Sequence, residues 1–292
     1  MSLQEDSLEK AKVLSQALPW LLKFRGTKVV IKFGGNAMVD PGLFRAFAED
    51  IVFLKLAGID PVIVHGGGPQ ISHALKTANI ESRFIKGLRY TEARAISIIK
   101  DVLVNDIQKE IVQTINEIYP CAQGFSGDEN ALISAKRTTS IDGEAIDLGL
   151  VGEVESIDSK IITDAIKQGK VPVVSTLGLS KMDELLNINA DYAAAAISQG
   201  LKAEKLVILT DVIGLMSEYP NPESLISSID ITNLAKLIPS LDQGMRPKMQ
   251  ACLWSVAGGV GRAHVIDGRI AHGLLVEVFT DQGAGTMVIR DE

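Results

Sequence analysis

The sequence predicts an α/β protein in which a mostly parallel central sheet is sandwiched between helices. Two short runs rich in Val and Ile, Lys28–Phe33 and Pro61–His65, each end abruptly in glycines, at Gly34-Gly35 and at Gly66-Gly67-Gly68. Such runs, with helical patterns between and after them, are typical of buried parallel strands in βαβ units. The alternation of strand and helix patterns continues through the second half of the chain, which favours the same fold class.

A helix precedes the first predicted strand. Residues 7–24 carry leucines at helical spacing, and Pro19 should divide this helix because proline has no backbone N–H to donate. Since no strand lies ahead of it, this extra helix has no partner in a βα unit. We expect it to be a surface appendage or a contact between subunits.

The other elements of the first half should begin and end at residues with suitable backbone preferences. The helix after the first strand should have Asp40 as its N-cap and end at Gly58. A short helix should start at Pro69, and a hairpin should occupy residues 80–91. Thr91 should then cap a long helix whose apolar positions are Ile96, Ile99, Leu103, Ile107, Ile111 and Ile115.

The second half should repeat the strand–helix alternation. Short strands should fill residues 121–154, and a helix over 158–168 should end at Gly169-Lys170, the candidate boundary between two lobes. Later strands are expected at Val171–Ser175, Lys205–Thr210, Ala263–Ile266 and Thr286–Ile289, and later helices at Ala190–Gln199, 230–238 and Pro247–Ala257. The predicted domains are an N-terminal helix over 1–25, a first lobe over 26–169 and a second lobe over 170–292.

The composition excludes several classes of partner. The chain has 292 residues, with 46% hydrophobic and 22% charged residues and a formal net charge of −7. This charge argues against nucleic acid or an anionic membrane as partner, so the positive charge for an anionic ligand must be local. No apolar run approaches the roughly 18 residues of a membrane span, and the acidic start is not typical of a secretory signal. Cys121 and Cys252 lie outside any C-x-x-C pattern, which fits a reducing cytoplasm.

The two glycine clusters indicate an anion site. Glycines after a strand let the backbone approach a ligand and direct successive N–H groups at an anion, and Lys32 adds a positive charge. Either cluster alone is also compatible with a simple tight turn. A Rossmann site would need G-x-G-x-x-G and an acidic residue ending the second strand, which ends instead in His65-Gly66. The P-loop signature is absent as well. We therefore predict a phosphate or carboxylate site.

Polar residues at two later helix starts and in the hairpin extend this site. Asn187 to Asp191 open a helix, either as capping residues or as groups at the ligand-binding edge of the sheet. Lys248 in a first helical turn opposes the helix dipole, which makes sense if an anion binds there. The position of Arg89 in the hairpin favours a role in binding a carboxylate over that of a charge exposed to solvent. His65 is more typical of a packed turn residue than of a catalyst.

Together these motifs resemble the amino acid kinase family, and within it the members that phosphorylate N-acetylglutamate. The resemblance covers nearly the whole chain, and its most specific parts are Asn36-Ala37-Met38, Asn187 to Asp191, and Ala263 to Arg269. Several positions depart from the common pattern without removing a catalytic group: Phe33, Tyr192, Gln243, Arg246 and the loop Asp128-Glu129-Asn130.

The resemblance implies ATP-dependent phosphorylation of the side-chain carboxylate of N-acetyl-L-glutamate in arginine biosynthesis, with Mg²⁺ accompanying ATP. The first lobe would bind acetylglutamate and dimerise, and the second would bind ATP. Lys32 and Lys248 would stabilise the transferring phosphoryl group, and Asp191 would orient both lysines. The substrate would be bound by Gly67, Gly68, Arg89 and Asn187. The nucleotide would be bound by Gly34, Gly35, Thr210, Asp211, Gly214 and Gly244.

The N-terminal helix resembles that of arginine-inhibited members, in which such helices interlace to join dimers into a hexameric ring. The resemblance implies that arginine would bind close to this helix, at His264, Glu277 and Gly283. The alternative is a helix that only packs on its own subunit. For the activity, two alternatives stay open: a sibling kinase acting on aspartate, glutamate, carbamate or UMP, and a regulatory protein that binds arginine or nucleotide without catalysis.

Overall fold

An eight-stranded sheet forms the centre of the fold in this computed structural model, which describes residues 3–141, 143–280 and 283–291. Its strands, in chain order, are β1 (Lys28–Phe33), β2 (Asp60–His65), β5 (Ala122–Ser126), β10 (Val171–Ser175), β13 (Lys205–Thr210), β14 (Ser228–Asp230), β15 (Arg262–Asp267) and β16 (Gly285–Ile289). The smaller strands are β3 (Phe84–Ile85), β4 (Leu88–Arg89), β6 (Ile133–Arg137), β7 (Ser140–Ile141), β8 (Glu144–Ala145), β9 (Val151–Ile157), β11 (Leu177–Leu179) and β12 (Leu185–Ile188).

The sheet order is β14-β16-β15-β13-β1-β2-β10-β5. All neighbouring strands are parallel except β15 and β16. The carboxyl ends of β1, β2, β10 and β13 therefore meet at one edge, where open α/β proteins bind ligands. Lys32 of β1 lies in register with Ile208 of β13 and Val64 of β2.

Helices cover both faces of the sheet. They are α1 (Leu3–Gln16), α2 (Leu18–Phe24), α3 (Pro41–Leu56), α4 (Gly68–Thr77), α5 (Ile96–Asp101), α6 (Lys109–Ile118), α7 (Ser159–Lys167), α8 (Ala190–Gly200), α9 (Ile231–Leu237), α10 (Met245–Ala257) and α11 (Gly273–Phe279). Two large clusters of buried apolar side chains lie on opposite faces of the sheet, one around Ile31 and Ile63 and the other around Val30 and Val64. This alternation along a strand is expected when both faces are covered.

Smaller sheets lie beside the central one. Strands β6, β9, β12 and β11 close into a small barrel, and β3–β4 and β7–β8 are antiparallel hairpins. Lys86 at the tip of the first hairpin pairs with Glu144 of the second. The two hairpins are therefore tied together.

Several predicted boundaries agree with the structure. The N-terminal helix is divided at Ala17, and Pro19 lies in the first turn of α2. Asp40 caps α3 by accepting a hydrogen bond from the backbone N–H of Leu43. Gly58 has a φ of +83°, which suits a glycine that ends a helix.

The predicted cap of the long helix is wrong. The helix begins at Ile96 rather than next to Thr91, and Thr91 is fully buried, donating its hydroxyl to the carbonyl of Arg89. From Val102 to Gln108 the helix widens into a π-helical segment between α5 and α6. The sequence analysis also missed α11, which follows His272 in the left-handed region, with a φ of +59°.

The position of β10 bears on the two predicted lobes. Although β10 follows the candidate boundary at residue 169, it lies between β2 and β5 of the first half. The two parts of the chain share one continuous sheet. Their division into a substrate lobe and a nucleotide lobe remains a prediction.

Candidate active site

Lys32 lies at the carboxyl end of β1, and its side chain turns back over the following glycine. A Cβ at Gly34 would lie 3.0 Å from Nζ of Lys32, so a larger residue would push against the ammonium group. Lys32 is 8% exposed, and its Nζ lies 3.2 Å from Oδ1 of Asp191. The glycine after the strand therefore leaves room for a buried lysine directed at a carboxylate.

Asp191 is placed by the start of α8. The side chain of Asn189 accepts hydrogen bonds from the backbone N–H groups of Asp191 and Tyr192, which makes Asn189 the N-cap. Lys248 lies in the first turn of α10, and its Nζ is 3.2 Å from Oδ2 of Asp191. Each oxygen of one carboxylate thus contacts a different lysine.

Burial and neighbouring charges have opposite effects on the pKa values of Asp191, Lys248 and Lys32. Burial raises the pKa of Asp191, but attraction by Lys248 and Lys32 outweighs it and holds the pKa below its usual value. The pKa of Lys248 is raised by the Asp191 charge. The pKa of Lys32 is lowered, chiefly by burial and also by the nearby Lys248 charge. Lys32 is the ammonium group that an incoming anion would stabilise most.

The second glycine cluster joins β2 to α4, with Gly67 as the N-cap. A Cβ at Gly67 would overlap Cδ1 of Ile107 and lie 3.2 Å from Cδ2 of Leu103, both in the π-helical segment. A Cβ at Gly68 would meet no heavy atom within 4 Å among the residues described. A side chain at position 67 would therefore displace the end of the Ile107 side chain, while the backbone N–H groups of the first turn of α4 are available to an anion.

Arg89 is buried and held by neutral groups. Its Nη2 donates to the carbonyl of Gly68 at 2.8 Å and to Oγ of Ser72 at 3.0 Å, and its Nη1 donates to Ser82. The guanidinium lies 4.5 Å from the ring centroid of Phe84. Burial lowers its pKa to about 10, so it keeps its charge at pH 7. An arginine with this environment is suited to bind a carboxylate.

One cavity of about 290 Å³ brings the predicted catalytic and substrate residues together. Its lining includes Lys32, Gly34, Gly35, Gly67, Gly68, Arg89, Asn187, Asp191 and Lys248. The amide of Asn187 donates to Oγ1 of Thr91 at 3.1 Å, which ties β12 to the end of the hairpin. Thr91 is thus a positioning residue that the sequence analysis assigned to a helix cap.

A neighbouring cavity of about 600 Å³ contains the remaining predicted nucleotide residues. Thr210, Asp211 and Lys248 line both cavities, whereas Gly214 and Gly244 line only the larger one. The two cavities therefore meet at Lys248 and at the carboxyl end of β13. A ligand spanning them would have one end next to the lysine pair.

The predicted effector residues form a separate cluster around a buried carboxylate. Oε1 of Glu277 lies 2.6 Å from Nδ1 of His264 and 3.5 Å from Nζ of Lys205, and Oε2 accepts from the backbone N–H of Ala284. A Cβ at Gly283 would lie 2.8 Å from Oε2. The sequence analysis missed Lys205, which begins β13 at the edge opposite the candidate active site.

His65 lies in the core rather than in the candidate active site. His65 is fully buried, and burial lowers its pKa to about 4, which fits a packed residue rather than a proton carrier near pH 7. Among the residues described, no group of three or more His, Cys, Asp or Glu side chains is arranged to hold a metal ion.

Comparison with known proteins identifies the fold and the family. A model of the amino acid kinase family matches residues 27–267. The chain belongs to the amino acid kinase family. This assignment confirms the predicted family and fold class, including a mostly parallel central sheet flanked by helices. In the described part of this amino acid kinase, no helix is both long and apolar enough to cross a membrane.

Relatives of this amino acid kinase carry more specific names. A protein named acetylglutamate kinase from Bifidobacterium longum (strain NCC 2705) is 50% identical over 287 residues, which is 97% of this chain and 94% of that protein. N-acetylglutamate synthase from Neisseria gonorrhoeae, complexed with coenzyme A and N-acetyl-glutamate, has a similar fold with a TM-score of 0.83 at 22% identity. The match covers 96% of this chain but 63% of the synthase. The same synthase complexed with coenzyme A and L-arginine gives a TM-score of 0.79 at 22% identity, covering 95% of this chain and 64% of that one.

Proposed function

We propose that this chain is an ATP-dependent acetylglutamate kinase. It transfers a phosphoryl group to the side-chain carboxylate of N-acetyl-L-glutamate, giving N-acetyl-L-glutamyl 5-phosphate, a step of arginine biosynthesis. The sequence identity of 50% over 94% of a protein named acetylglutamate kinase supports the assignment. The observation that carries it is the placement of Asp191 between Lys32 and Lys248, where the two cavities meet.

The chemistry suits a site rich in lysine and backbone N–H groups. A carboxylate is ionised at pH 7, so the acceptor needs no general base. One of its oxygens forms a bond to the γ-phosphorus while the bond from that phosphorus to the β–γ bridging oxygen breaks and ADP departs. The barrier comes from bringing two anions together and from charge on the migrating phosphoryl group. Lys32 and Lys248 supply preorganised positive charge at that point.

Asp191 acts in this proposal as a positioning residue. Its two contacts hold the ammonium groups apart and directed at the phosphoryl group between them. A lysine pair without the intervening carboxylate would repel, and the charge of the buried Lys32 would be less stable. The carboxylate therefore favours a positively charged site without contacting the substrate.

We further propose Mg²⁺ as the divalent ion that accompanies ATP. When bound, the ion neutralises charge on the phosphates. We assign one ligand of this ion to Asp211, an exposed carboxylate that lines both cavities. Mg²⁺ commonly takes one or two carboxylates and completes its shell with substrate phosphates and water, so one carboxylate from the chain would suffice.

The residues at the two ends of the smaller cavity select the substrate. Arg89 and Asn187 bind the main-chain end of acetylglutamate, while the N–H groups of Gly67 and Gly68 bind its reacting carboxylate. ATP occupies the larger cavity, with Gly214 and Gly244 near the nucleotide and Gly34 and Gly35 near its phosphates. In this proposal residues 26–169 form most of the substrate lobe and residues 170–292 bind ATP.

Arginine is proposed as an inhibitor that acts through a homo-oligomer, a hexameric ring of dimers. The exposed leucines of α1 and α2, namely Leu8, Leu14, Leu18 and Leu22, are available to bury against another subunit. Arginine would bind at Glu277, His264 and Gly283, where its guanidinium would compete with Lys205 for the carboxylate. The ring centroid of Phe24 in α2 lies 5.0 Å from Nζ of Lys205, so this cluster contacts the N-terminal helices. An effector of this kind must favour a less active arrangement of the oligomer.

The test is a phosphoryl-transfer assay that follows ADP release with one acceptor at a time. N-acetyl-L-glutamate should support turnover, and L-glutamate, L-aspartate, carbamate and UMP should not. Turnover with one of the other acceptors would assign the chain to a sibling kinase. ATP binding without turnover on any acceptor would favour a regulatory protein instead.

A further inference from the structure

The tip of the hairpin β3–β4 packs against the loop that begins α10. A Cβ at Gly87 would lie 2.8 Å from the backbone carbonyl oxygen of Gln243 and 3.4 Å from Cγ of Pro247. A carbonyl oxygen belongs to the backbone and cannot move aside as the end of a flexible side chain can. Gly87 also lines the cavity that contains Lys32 and Asp191. Glycine at position 87 therefore allows two parts of the candidate active site to meet.

The turn at this tip has an unusual backbone for its sequence. Lys86 and Gly87 have φ values of +48° and +82°, as in the two-residue turns that match the twist of the flanking strands. Such turns favour asparagine, aspartate or glycine at the first position, where this chain has a lysine. A strained residue of this kind persists only where the surrounding contacts hold it. The contacts at the tip therefore contribute to the conformation of the turn.

The hairpin has little structure of its own to fix its position. Each strand has two residues, and Leu88 belongs to a small apolar cluster with Leu148 and Val151. A two-stranded hairpin of this length is not stable alone. Its other attachment is Arg89, which donates to groups of α4 and which the proposed function assigns to acetylglutamate. A ligand on Arg89 would add to the contacts that fix the hairpin.

The loop that the hairpin touches is attached to the first turn of α10. Oδ1 of Asp242 accepts hydrogen bonds from the backbone N–H groups of Gly244 and Met245, so the loop and the turn are held together. Lys248 lies in this turn, with its Nζ 3.2 Å from Oδ2 of Asp191. Gly244 and Lys248 both line the larger cavity, which the proposed function assigns to ATP. A nucleotide bound there would fix the same loop.

We infer that Gly87 is a positioning residue that couples the binding of the two substrates. Acetylglutamate on Arg89 and ATP at Lys248 each favour the arrangement in which the tip of the hairpin packs against Gln243. Two ligands that favour the same arrangement raise each other's affinity by the same factor. This inference rests on the proposed function, because it concerns both of its substrates.

The test measures this coupling factor by isothermal titration calorimetry, with Mg²⁺ and the non-hydrolysable ATP analogue AMP-PNP. In the parent protein, saturating N-acetyl-L-glutamate should lower the Kd of AMP-PNP roughly fivefold or more. Saturating AMP-PNP should lower the Kd of N-acetyl-L-glutamate by the same factor. In Gly87→Ala the new methyl group overlaps the carbonyl of Gln243, so the factor should fall below roughly twofold. Repulsion between the two anionic ligands is the same in both proteins.

Gly143→Ala is the matched control. Gly143 has a φ of +79° in the turn before β8, and a Cβ there would meet no heavy atom of a described residue within 4 Å. Alanine therefore brings similar backbone strain to both positions, but it overlaps a neighbour at position 87 and not at position 143. Gly143→Ala should keep the coupling factor of the parent.

Pro247→Ala separates the coupling from damage to the turn. It removes the ring next to Gly87 and leaves the hairpin sequence unchanged, so the factor should fall while each ligand alone keeps its Kd within a few-fold. Should Gly87→Ala bind neither ligand, Pro247→Ala decides, and parental coupling in that variant overturns the inference.

Three further results would contradict the inference. An unchanged factor in Gly87→Ala, an equal loss in Gly143→Ala, or a parent that binds both ligands without coupling would each overturn it and leave the proposed function intact. A parent that binds no N-acetyl-L-glutamate even with AMP-PNP present would instead contradict the proposed function, and the inference with it.

Discussion

Lys32 and Lys248, which are 216 positions apart, each lie 3.2 Å from a different oxygen of Asp191. The first comes from the end of a central strand and the second from the first turn of a helix. Strand ends and helix starts are rigid positions, so the two ammonium groups are held before any ligand arrives. Such preorganisation is the main way in which fixed charges lower a barrier.

The first prediction concerns this lysine pair. Lys32→Ala or Lys248→Ala should lower kcat by roughly 10²–10³, the scale for loss of one preorganised stabiliser, with a smaller effect on KM. Steady-state kinetics with both substrates would measure the split. Lys76→Ala, on the exposed end of α4, is the control and should leave both constants unchanged. A near-normal kcat with only a raised KM would assign the lysine to ground-state binding.

The second prediction concerns Arg89. Arg89→Lys loses the fork that contacts Gly68 and Ser72, so the KM for acetylglutamate should rise roughly 10- to 100-fold, as for loss of a charge-assisted hydrogen bond. The KM for ATP should be nearly unchanged. Arg83→Lys makes the same change at an exposed position just before the same hairpin and should have little effect. Equal shifts in both KM values would indicate a structural role.

The third prediction compares two neighbouring glycines. Gly67→Ala should lower kcat/KM more than Gly68→Ala does, because the new methyl group overlaps Cδ1 of Ile107 and that side chain must shift. Gly68→Ala keeps the backbone N–H and meets no described atom, so its kcat/KM should stay within a few-fold of the parent. Adding Ile107→Val to Gly67→Ala should restore part of the activity. If both alanine variants were equally impaired, packing against the π-helical segment would not be the cause.

The fourth prediction concerns pH and the buried Asp50 of α3. Burial raises its pKa to about 6, although Nδ1 of His272 lies 2.6 Å from its Oδ1 and lowers the pKa in part. A carboxyl group whose pKa is higher in the folded than in the unfolded protein stabilises the folded state at pH values below its unfolded pKa. For Asp50 this contribution is lost as the pH rises through about 6. Asp50→Asn removes the titration. Relative to the parent, the variant should therefore gain about 2 kcal/mol in free energy of unfolding between pH 4 and pH 7.

Urea denaturation of both proteins across that pH range would measure this difference. Glu49→Gln, which neutralises the adjacent exposed carboxylate, is the control and should diverge much less from the parent, because Glu49 is only a minor cause of the raised pKa of Asp50. Parallel stability curves for Asp50→Asn and the parent would contradict the prediction.

The fifth prediction concerns α1. Deleting residues 1–16 removes the exposed Leu8 and Leu14 but keeps Phe24, which is 2% exposed and belongs to the core. The shortened chain should form dimers by light scattering, lose sensitivity to millimolar arginine and keep most of its catalytic rate. A full-length protein that is already dimeric and indifferent to arginine would make the helix a packing element only.

Local signals predicted most of the elements correctly. The strand Lys28–Phe33 and the cap at Asp40 have the predicted positions because each depends on residues a few places away. The prediction that Thr91 caps the helix was wrong because the local sequence is the same whether a threonine ahead of an apolar helical stretch caps the helix or forms hydrogen bonds elsewhere. Hydrogen bonds to Arg89 and Asn187, which the local sequence does not reveal, determine the position of Thr91.

Long-range pairing limited what could be predicted of the site. The residues of the candidate active site were named from strand ends and helix starts, since these converge in any open α/β sheet. Lys205 was missed because its partner Glu277 is 72 positions away and both lie within apolar segments. The π-helical segment was also missed, because the apolar spacing of Leu103 and Ile107 fits an ordinary helix.

The shared central sheet also affects how this chain can be produced. During synthesis β1 can pair with β2 early, but its other neighbour, β13, leaves the ribosome more than 170 residues later. A fragment ending at residue 169 would lack both β10 and β13, leaving β1 and β2 with bare edges, and exposed hydrophobic edges promote aggregation. The two halves should therefore be expressed as one chain, or mixed so that each provides the strands that cover the other.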